Sequence, residues 1–250
     1  MKPIFPALLL LCAALPLAAA EKTLDVYFID VEGGQATLLV TPEKQSLLID
    51  TGWPGFGDRD ADRIVKVAKK AGLKRIDNLL ITHYHRDHVG GITQLLSKMS
   101  VGTFIDHGPN RESGPAADQL MESYLKAASS GQRMSVKPGD RIPFKGAEVL
   151  VLTSDGEAIA QPLPGAGQAN ALCAKAEKKA DDPSENARSL GVLVSFGSFK
   201  FIDLGDLTWN KELELACPVN KIGTVDLYVT THHGMDISGP EALVHALRPR

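Results

Sequence analysis

The sequence has little of what marks a nucleic-acid-binding or membrane protein. Its formal net charge is only −3, so the surface as a whole does not attract a polyanion. After the first twenty residues, no apolar run reaches the ~20 residues that a bilayer requires. Internal repeats and low-complexity arrays are also missing. What is left is ordinary folded-protein composition: 250 residues, 44% of them hydrophobic and 23% charged.

The first twenty residues differ from the rest of the chain. They have a single charge at Lys2, an apolar run from Ile4 to Leu17, and three small residues at 18–20. This order is typical of a secretory signal peptide, and the run is shorter than a membrane anchor needs. We therefore predict a signal peptide over 1–20, a secreted or periplasmic location, and a mature domain over 21–250 with no stable membrane anchor.

Cysteine is scarce, with three residues in the whole chain. Two of them, Cys173 and Cys217, follow the predicted signal peptide. An exported chain meets an oxidising compartment, where the two could pair. Pairing also requires that their Cα atoms come close, and the sequence leaves that open.

Short apolar runs alternate with helical patterns along the chain. The predicted strands are 24–29, 36–40, 47–49, 79–81, 103–105, 148–152, 191–196, 199–204 and 225–230. Helices are predicted over 58–72, from about residue 88 to Met99, and near the C-terminus. Mixed strands and helices indicate an α/β or α+β sandwich. The long connection 154–189 is either a lid over a site or a surface excursion, and the chain ends without the closing strand that such a sandwich would have.

The segment 79–91 reads LLITHYHRDHVGG and carries the strongest chemical signal. In an extended segment, His83 and His85 point the same way and can hold one metal ion. Asp87 and His88 follow where the chain turns, so they can hold a second ion nearby. Imidazole and carboxylate together favour borderline metals, so zinc is the first expectation, with manganese or iron as alternatives.

Two later segments offer the further ligands that two metal ions need. Asp206 follows Gly205 just beyond a strand, where its carboxylate could bridge two ions; Asp203, the rival, lies within the strand. Of the adjacent histidines 232 and 233, only one should ligate if the chain is extended there. We favour His232 as the ligand and place His233 against substrate or in a supporting position.

These motifs resemble the metallo-β-lactamase superfamily. The hexad HYHRDH matches the H-x-H-x-D-H signature, while LLIDTG, LGDL and THHG are similar to the family's other metal motifs. The segments YFIDVEGGQATLL, SENARSLGVLVSFG and THHGMDISGPE most resemble the competence-protein type, although Gln35 stands where that pattern has an aspartate. The resemblance implies a four-layer αββα sandwich, here apparently lacking its C-terminal end.

The resemblance also implies roles for individual residues. The predicted metal ligands are His83, His85, Asp87, His88, Asp206 and His232, and Asp87 and His233 are the candidate catalytic residues. Asp50 either orients a ligand or caps a strand. The family's middle histidine is not obvious: His107 is either a ligand or substrate contact, or a strand-end residue without a role.

The function predicted from these features is that of a secreted, metal-dependent hydrolase using a metal-activated hydroxide, without a cysteine nucleophile. Its expected substrate is a phosphodiester or a related small-molecule ester. A β-lactamase or lactonase, or a non-catalytic metal-binding module, are the alternatives. Nucleic acid is possible but not supported by the charge, since the basic strip over 66–75 is more typical of a solvated helix face. The oligomeric state is open.

Overall fold

The computed structural model describes residues 22–250, so the predicted signal peptide lies outside the described residues. Within 22–250, none of the helices combines the length and the apolar character needed to cross a membrane.

The N-terminal half forms a six-stranded sheet in sequence order. Its strands are β1 (Asp25–Phe28), β2 (Thr37–Val40), β3 (Ser46–Ile49), β4 (Ile76–Leu80), β5 (Val101–Asp106) and β6 (Gln132–Ser135). The first three strands pair antiparallel, and β3 to β6 run parallel. The carboxyl ends of β3, β4 and β5 therefore lie at one edge of this sheet.

The C-terminal half forms a second six-stranded sheet in the order β12-β11-β10-β8-β7, with β9 paired to β8. Its strands are β7 (Arg141–Ile142), β8 (Glu148–Ser154), β9 (Glu157–Ala158), β10 (Gly191–Phe196), β11 (Phe199–Asp203) and β12 (Leu227–Tyr228). Strand β12 runs parallel to β11 and is shorter than the predicted 225–230.

Six α-helices cover the outer faces of the two sheets. They are α1 (Arg59–Lys70), α2 (Arg86–Val89), α3 (Ile92–Leu96), α4 (Pro115–Ala128), α5 (Trp209–Ala216) and α6 (Glu241–Leu247). The helix predicted from about residue 88 to Met99 is split into α2 and α3 at two glycines, and Met99 lies beyond it. Helix α4 was not predicted.

Three hydrophobic clusters separate the layers. One packs α1, α3 and α4 on the first sheet, with Ile64, Leu95 and Tyr124 buried. A second fills the space between the sheets, and the third packs α5 and α6 on the second sheet. The predicted four-layer αββα sandwich is therefore confirmed.

The connection 154–189 is attached to the second sheet and its helices over most of its length. Cys173 and Cys217 form a disulfide with their Cα atoms 5.6 Å apart. Asn170 donates hydrogen bonds to backbone oxygens near the ends of α5 and α6, and Leu163 packs in the third cluster. The segment ends in a 3-10 helix, Glu185–Arg188, beside the hexad.

Candidate metal centre

The candidate site forms where the carboxyl ends of strands from both sheets meet. The hexad follows β4, Asp206 follows β11, and His232 and His233 follow β12. Asp50 and His107 directly follow β3 and β5. Because the carboxyl ends of neighbouring parallel strands lie at the same edge of a sheet, these residues come close together although they are distant in sequence.

Four side chains form the tightest group: one ligand atom from each of Asp87, His88, Asp206 and His233 lies within 4.8 Å of the others. Oδ2 of Asp206 is 3.2 Å from Nε2 of both His88 and His233. Oδ2 of Asp87 is 3.1 Å from Nε2 of His233. The carboxylate of Asp206 thus lies between the hexad and the second histidine pair, where the sequence predicted a bridging acid.

His233, rather than His232, reaches Asp87. Both histidines have positive φ, 50° and 54°, inside a 3-10 turn over Thr231–Gly234. The alternation by which only one of the two histidines should ligate requires an extended chain, and this turn removes it. Nε2 of His232 instead lies 3.3 Å from the amide nitrogen of Asn186 and 3.7 Å from Asp206. Left-handed conformations of non-glycine residues are costly and concentrate at functional sites.

Asp50 lies directly behind His88. Its Oδ2 is 2.7 Å from Nδ1 of His88, and the backbone N–H and hydroxyl of Thr82 donate to the same carboxylate. With Nδ1 held by Asp50, Nε2 of His88 faces Asp87 and Asp206. Asp50 therefore occupies the orienting position that the motif predicted.

His83 and His85 diverge more than the simple strand picture predicts. Their ring centroids are 4.6 Å apart, and Nε2 of His83 is 3.9 Å from Oδ2 of Asp206. Nε2 of His85 instead lies 3.1 Å from Oε1 of Glu112, an acid that sequence reasoning missed. The two imidazoles remain neighbours at the edge of the four-residue group.

His107 does not reach the group around Asp206. Its Nε2 is 2.9 Å from Oε2 of Glu185, and both side chains are fully buried. Glu185 also accepts hydrogen bonds from the backbone N–H groups of Tyr84 and Arg111. These bonds outweigh burial, so the pKa of Glu185 lies below its ordinary value. The pair ties the connection 154–189 to the hexad; the sequence offered no spacing signal for Glu185.

A tight loop supports the hexad from the other side. The backbone N–H of Gln35 donates to the carbonyl oxygen of Asp87, and a Cβ at Gly34 would lie only 2.5 Å from that oxygen. The Gln35 side chain donates to Asp203 at 2.7 Å, so Asp203 is engaged away from the cluster. Gly205, with φ 56°, lies against Thr82 and turns the chain toward Asp206. Close backbone approach therefore explains these two glycines.

The group around Asp206 combines strong acids with basic imidazoles. Hydrogen bonds to Asp206 and Asp87 raise the pKa of His233 to about 9. Burial opposes protonation of His88, but Asp50 and Asp206 raise its pKa well above the ordinary value. Burial likewise opposes ionisation of Asp87 and Asp206, yet the two histidines hold their pKa values well below normal. Burial lowers the pKa of His83 and, less strongly, that of His232.

The donor atoms fit divalent metal ions. Nε2 of His83 and Oδ1 of Asp206 are buried and have no hydrogen-bond partner among residues 22–250. Buried polar atoms are almost always bonded, so such atoms need an explanation. Imidazole and carboxylate donors at this spacing suit zinc and related borderline ions. Ion binding would give both atoms a partner.

A family model described as the metallo-beta-lactamase superfamily matches residues 30–169, which is more than half of the chain. The chain belongs to the metallo-beta-lactamase superfamily. This fold implies metal ions, and the matched region includes the whole hexad. Asp206 and His233 lie beyond it, so their membership of the site rests on the geometry above.

Two kinds of curated relative are similar to the chain. Hydroxyacylglutathione hydrolase of Photobacterium profundum is 32% identical over 101 residues, covering 40% of this chain and 32% of that protein. ComE operon protein 3 of Bacillus subtilis (strain 168) is 24% identical over 250 residues, covering 94% of this chain and 28% of that protein. The chain thus spans about a third of the length of these relatives.

Solved structures of the superfamily are also similar. A HARLDQ-motif mutant metallo-beta-lactamase from Cronobacter sakazakii is 15% identical with a TM-score of 0.48, covering 82% of this chain and 75% of that one. The metallo-beta-lactamase fold protein YhfI from Bacillus subtilis is 14% identical with a TM-score of 0.47, covering 81% and 65%.

Proposed function

We propose that this protein is a metal-dependent hydrolase that acts on a small phosphodiester or related ester. The observation that carries the proposal is the convergence of Asp87, His88, Asp206 and His233 within 4.8 Å, next to buried donor atoms on His83 and Asp206 that lack partners among the described residues. Buried polar atoms without a partner need an explanation. A site for two divalent ions accounts for them.

The geometry supports a division of ligands between two positions. Asp87, His88 and His233 would hold one zinc ion, His83 and His85 the other, and Asp206 would contribute to both. In this division His233 takes the ligand role that the sequence analysis gave to His232, because its Nε2 faces Asp87 and Asp206. When bound, such ions supply Lewis acidity, which makes water a stronger nucleophile near neutral pH and polarises the scissile bond.

The chain's own residues prepare this site for chemistry. Asp50 holds His88 by its Nδ1, which fixes the direction of the metal-facing Nε2. Asp87 is partly exposed beside His233, so its ionised carboxylate can also accept a hydrogen bond from an attacking water and orient it. His232, which lies between Asn186 and Asp206, is placed to contact a substrate oxygen.

A small substrate fits the charge distribution better than nucleic acid does. The basic strip lies on α1 and in the turn before β4, at residues 66, 69, 70, 74 and 75. The candidate site follows the carboxyl end of β4, at the opposite edge of the sheet. This strip therefore cannot guide a polyanion into the site. The competence-type motifs of the sequence favour a phosphodiester without requiring a long one.

A second candidate is hydrolysis of an acyl compound such as a hydroxyacylglutathione. The local identity of 32% to a hydroxyacylglutathione hydrolase favours it. Both reactions would use the same metal ions, so only assays of the substrates themselves distinguish phosphodiester hydrolysis from acyl hydrolysis.

We further propose that the protein works outside the cytoplasm as a secreted or periplasmic enzyme. The disulfide between Cys173 and Cys217 supports this location, since such bonds persist mainly in oxidising compartments.

A panel of substrates tests the proposed activity. The zinc-loaded protein is assayed on bis-nitrophenyl phosphate, nitrophenyl phosphocholine, an acylglutathione, a lactone and a cephalosporin. A double variant, Asp87→Ala with His88→Ala, is the control. We expect hydrolysis of a phosphodiester that the double variant loses; equal rates for parent and variant on every substrate would overturn the proposal.

A further inference from the structure

We propose that the segment 185–190 aligns the parts of the metal centre, with Glu185, Asn186 and Ser189 as positioning residues. The segment runs from the 3-10 helix that ends the long connection to the residue before β10. It supplies none of the ligand atoms of the four-residue group around Asp206. The inference rests on the proposed function, because it requires that this group holds an ion.

The segment holds the hexad side of the centre at two points. The backbone N–H of Tyr84 donates to Oε2 of Glu185 at 3.2 Å. The backbone N–H of Leu190 donates to the carbonyl oxygen of Thr82 at 2.8 Å. Tyr84 and Thr82 lie just before α2, the helix that carries two members of the four-residue group. The two bonds therefore fix the backbone from which α2 starts.

The same segment also contacts the two loops that bring ligands from the second sheet. The backbone N–H of Asp206 donates to Oγ of Ser189 at 3.2 Å, and both residues are buried. The amide nitrogen of Asn186 lies 3.3 Å from Nε2 of His232, the neighbour of His233 in the 3-10 turn. One short segment thus contacts all three parts of the chain that supply the group around Asp206.

Glu185 is itself held on several sides. Its side chain is fully buried, its Oε1 accepts the backbone N–H of Arg111 at 2.6 Å, and Nε2 of His107 lies 2.9 Å from its Oε2. A buried carboxylate is costly unless its oxygens are hydrogen-bonded, so a displacement of Glu185 would break several bonds at once. The segment therefore has little freedom to shift relative to the hexad.

This arrangement has a consequence for metal affinity. The four ligand atoms come from both sheets, so a small shift of one sheet edge against the other would separate them. The bonds of the segment 185–190 cross between those edges and oppose such a shift. Residues that orient ligands commonly change metal affinity by about 10–100-fold without touching the ion. Affinity should therefore depend on Glu185 and Ser189.

Zinc titration of the whole protein tests the inference. Metal-free wild type, Glu185→Gln and Ser189→Ala are compared by calorimetry with two matched controls, Asp60→Asn and Ser154→Ala. Asp60 is a buried acid that accepts the backbone N–H of Trp53, and Ser154 is a buried serine that donates to a backbone carbonyl oxygen. Neither of these bonds involves a ligand-bearing residue. The melting temperature of each metal-free variant measures its loss of stability.

We expect only E185Q and S189A to bind Zn²⁺ at least about tenfold more weakly than wild type. The absorption spectrum of the Co²⁺-loaded protein is a second readout, which these two variants should change and the controls should not. If E185Q does not fold, S189A, which removes only a hydroxyl group, decides alone. Zinc affinities within about twofold of wild type, or an equal weakening in the controls, would overturn the inference. A wild type that binds no zinc would instead refute the proposed function.

Discussion

At the scale of single residues, backbone conformation decides which side chains meet. His232 and His233 are adjacent, and an extended chain would send them to opposite sides. Their positive φ values place the ring of His233 on Asp87 and Asp206 and that of His232 on Asn186. A left-handed pair cannot be read from the letters THHG, whereas the close-spaced hexad pointed directly to Asp87 and His88, which lie in the group around Asp206.

The two histidines should differ when each is replaced by alanine. We expect His233→Ala to lose one bound zinc per chain, since it removes an imidazole next to Asp87. His232→Ala should keep both ions and lower catalytic turnover instead. Metal content measured after dialysis shows which of the two histidines holds zinc. The melting temperature of each metal-free variant shows whether the substitution has also weakened the fold. Loss of zinc from His232→Ala alone would restore His232 as the ligand.

At the scale of elements, the hydrophobic pattern of the sequence predicted the strands whose residues are most strongly buried. The strands β2 to β5, β8, β10 and β11 were all anticipated, because most of their apolar residues are buried between layers; β1 was anticipated as well, although it is only partly buried. Helix α4 was not, since its buried residues are confined to Tyr124, Ala127 and Ala128 near one end. Glu112 and Glu185 were missed for another reason: each acts through tertiary contacts, which leave no periodic signal, although Glu185 lies within the segment SENARSLGVLVSFG.

The connection 154–189 shows how a long segment with little regular structure can be ordered. Its sequence is compatible with either a lid or a surface excursion. Tertiary bonds and the disulfide attach it to α5 and α6, and its last turn presents Glu185 and Asn186 to the site.

Removing the disulfide should therefore weaken the fold. The bond closes a loop with a sequence separation of 44, which corresponds to about 4 kcal/mol of stabilisation from the restricted unfolded chain. We expect the variant Cys173→Ser with Cys217→Ser to lose stability of this order in urea denaturation. Wild type treated with a reductant should match it. An unchanged midpoint in both samples would contradict a structural role for the bond.

At the scale of the whole molecule, buried acids tie stability to pH. Glu212 on α5 is fully buried, and it accepts a hydrogen bond from the backbone N–H of Gly239 at 2.7 Å. Burial raises the pKa of Glu212 to about 7 from its ordinary value of 4.5. The folded state then holds this proton more tightly than the unfolded state, so stability falls as pH rises from about 4.5 to 7.

Glu212→Gln should remove that contribution. Relative to wild type, the metal-free variant should gain stability steadily between about pH 5 and pH 7 and keep a constant advantage above, on the order of 3 kcal/mol. Urea denaturation across this range and one unit above it measures the difference. Glu214→Gln, an exposed acid on the same helix, is the matched control and should show no such trend. If the difference in unfolding free energy between Glu212→Gln and wild type is the same at both ends of this pH range, Glu212 is not a buried acid with a raised pKa.

The fold brings strand ends of both sheets together around Asp87, His88, Asp206 and His233. The metal dependence of hydrolysis tests the proposed two-ion centre there most directly. Chelator-treated protein is titrated with Zn²⁺ while bound ions and hydrolysis of bis-nitrophenyl phosphate are followed together. Two bound ions per chain and activity that rises with occupancy are the predicted result. Fewer than one bound ion per chain, with no hydrolysis restored by zinc or manganese, would contradict it.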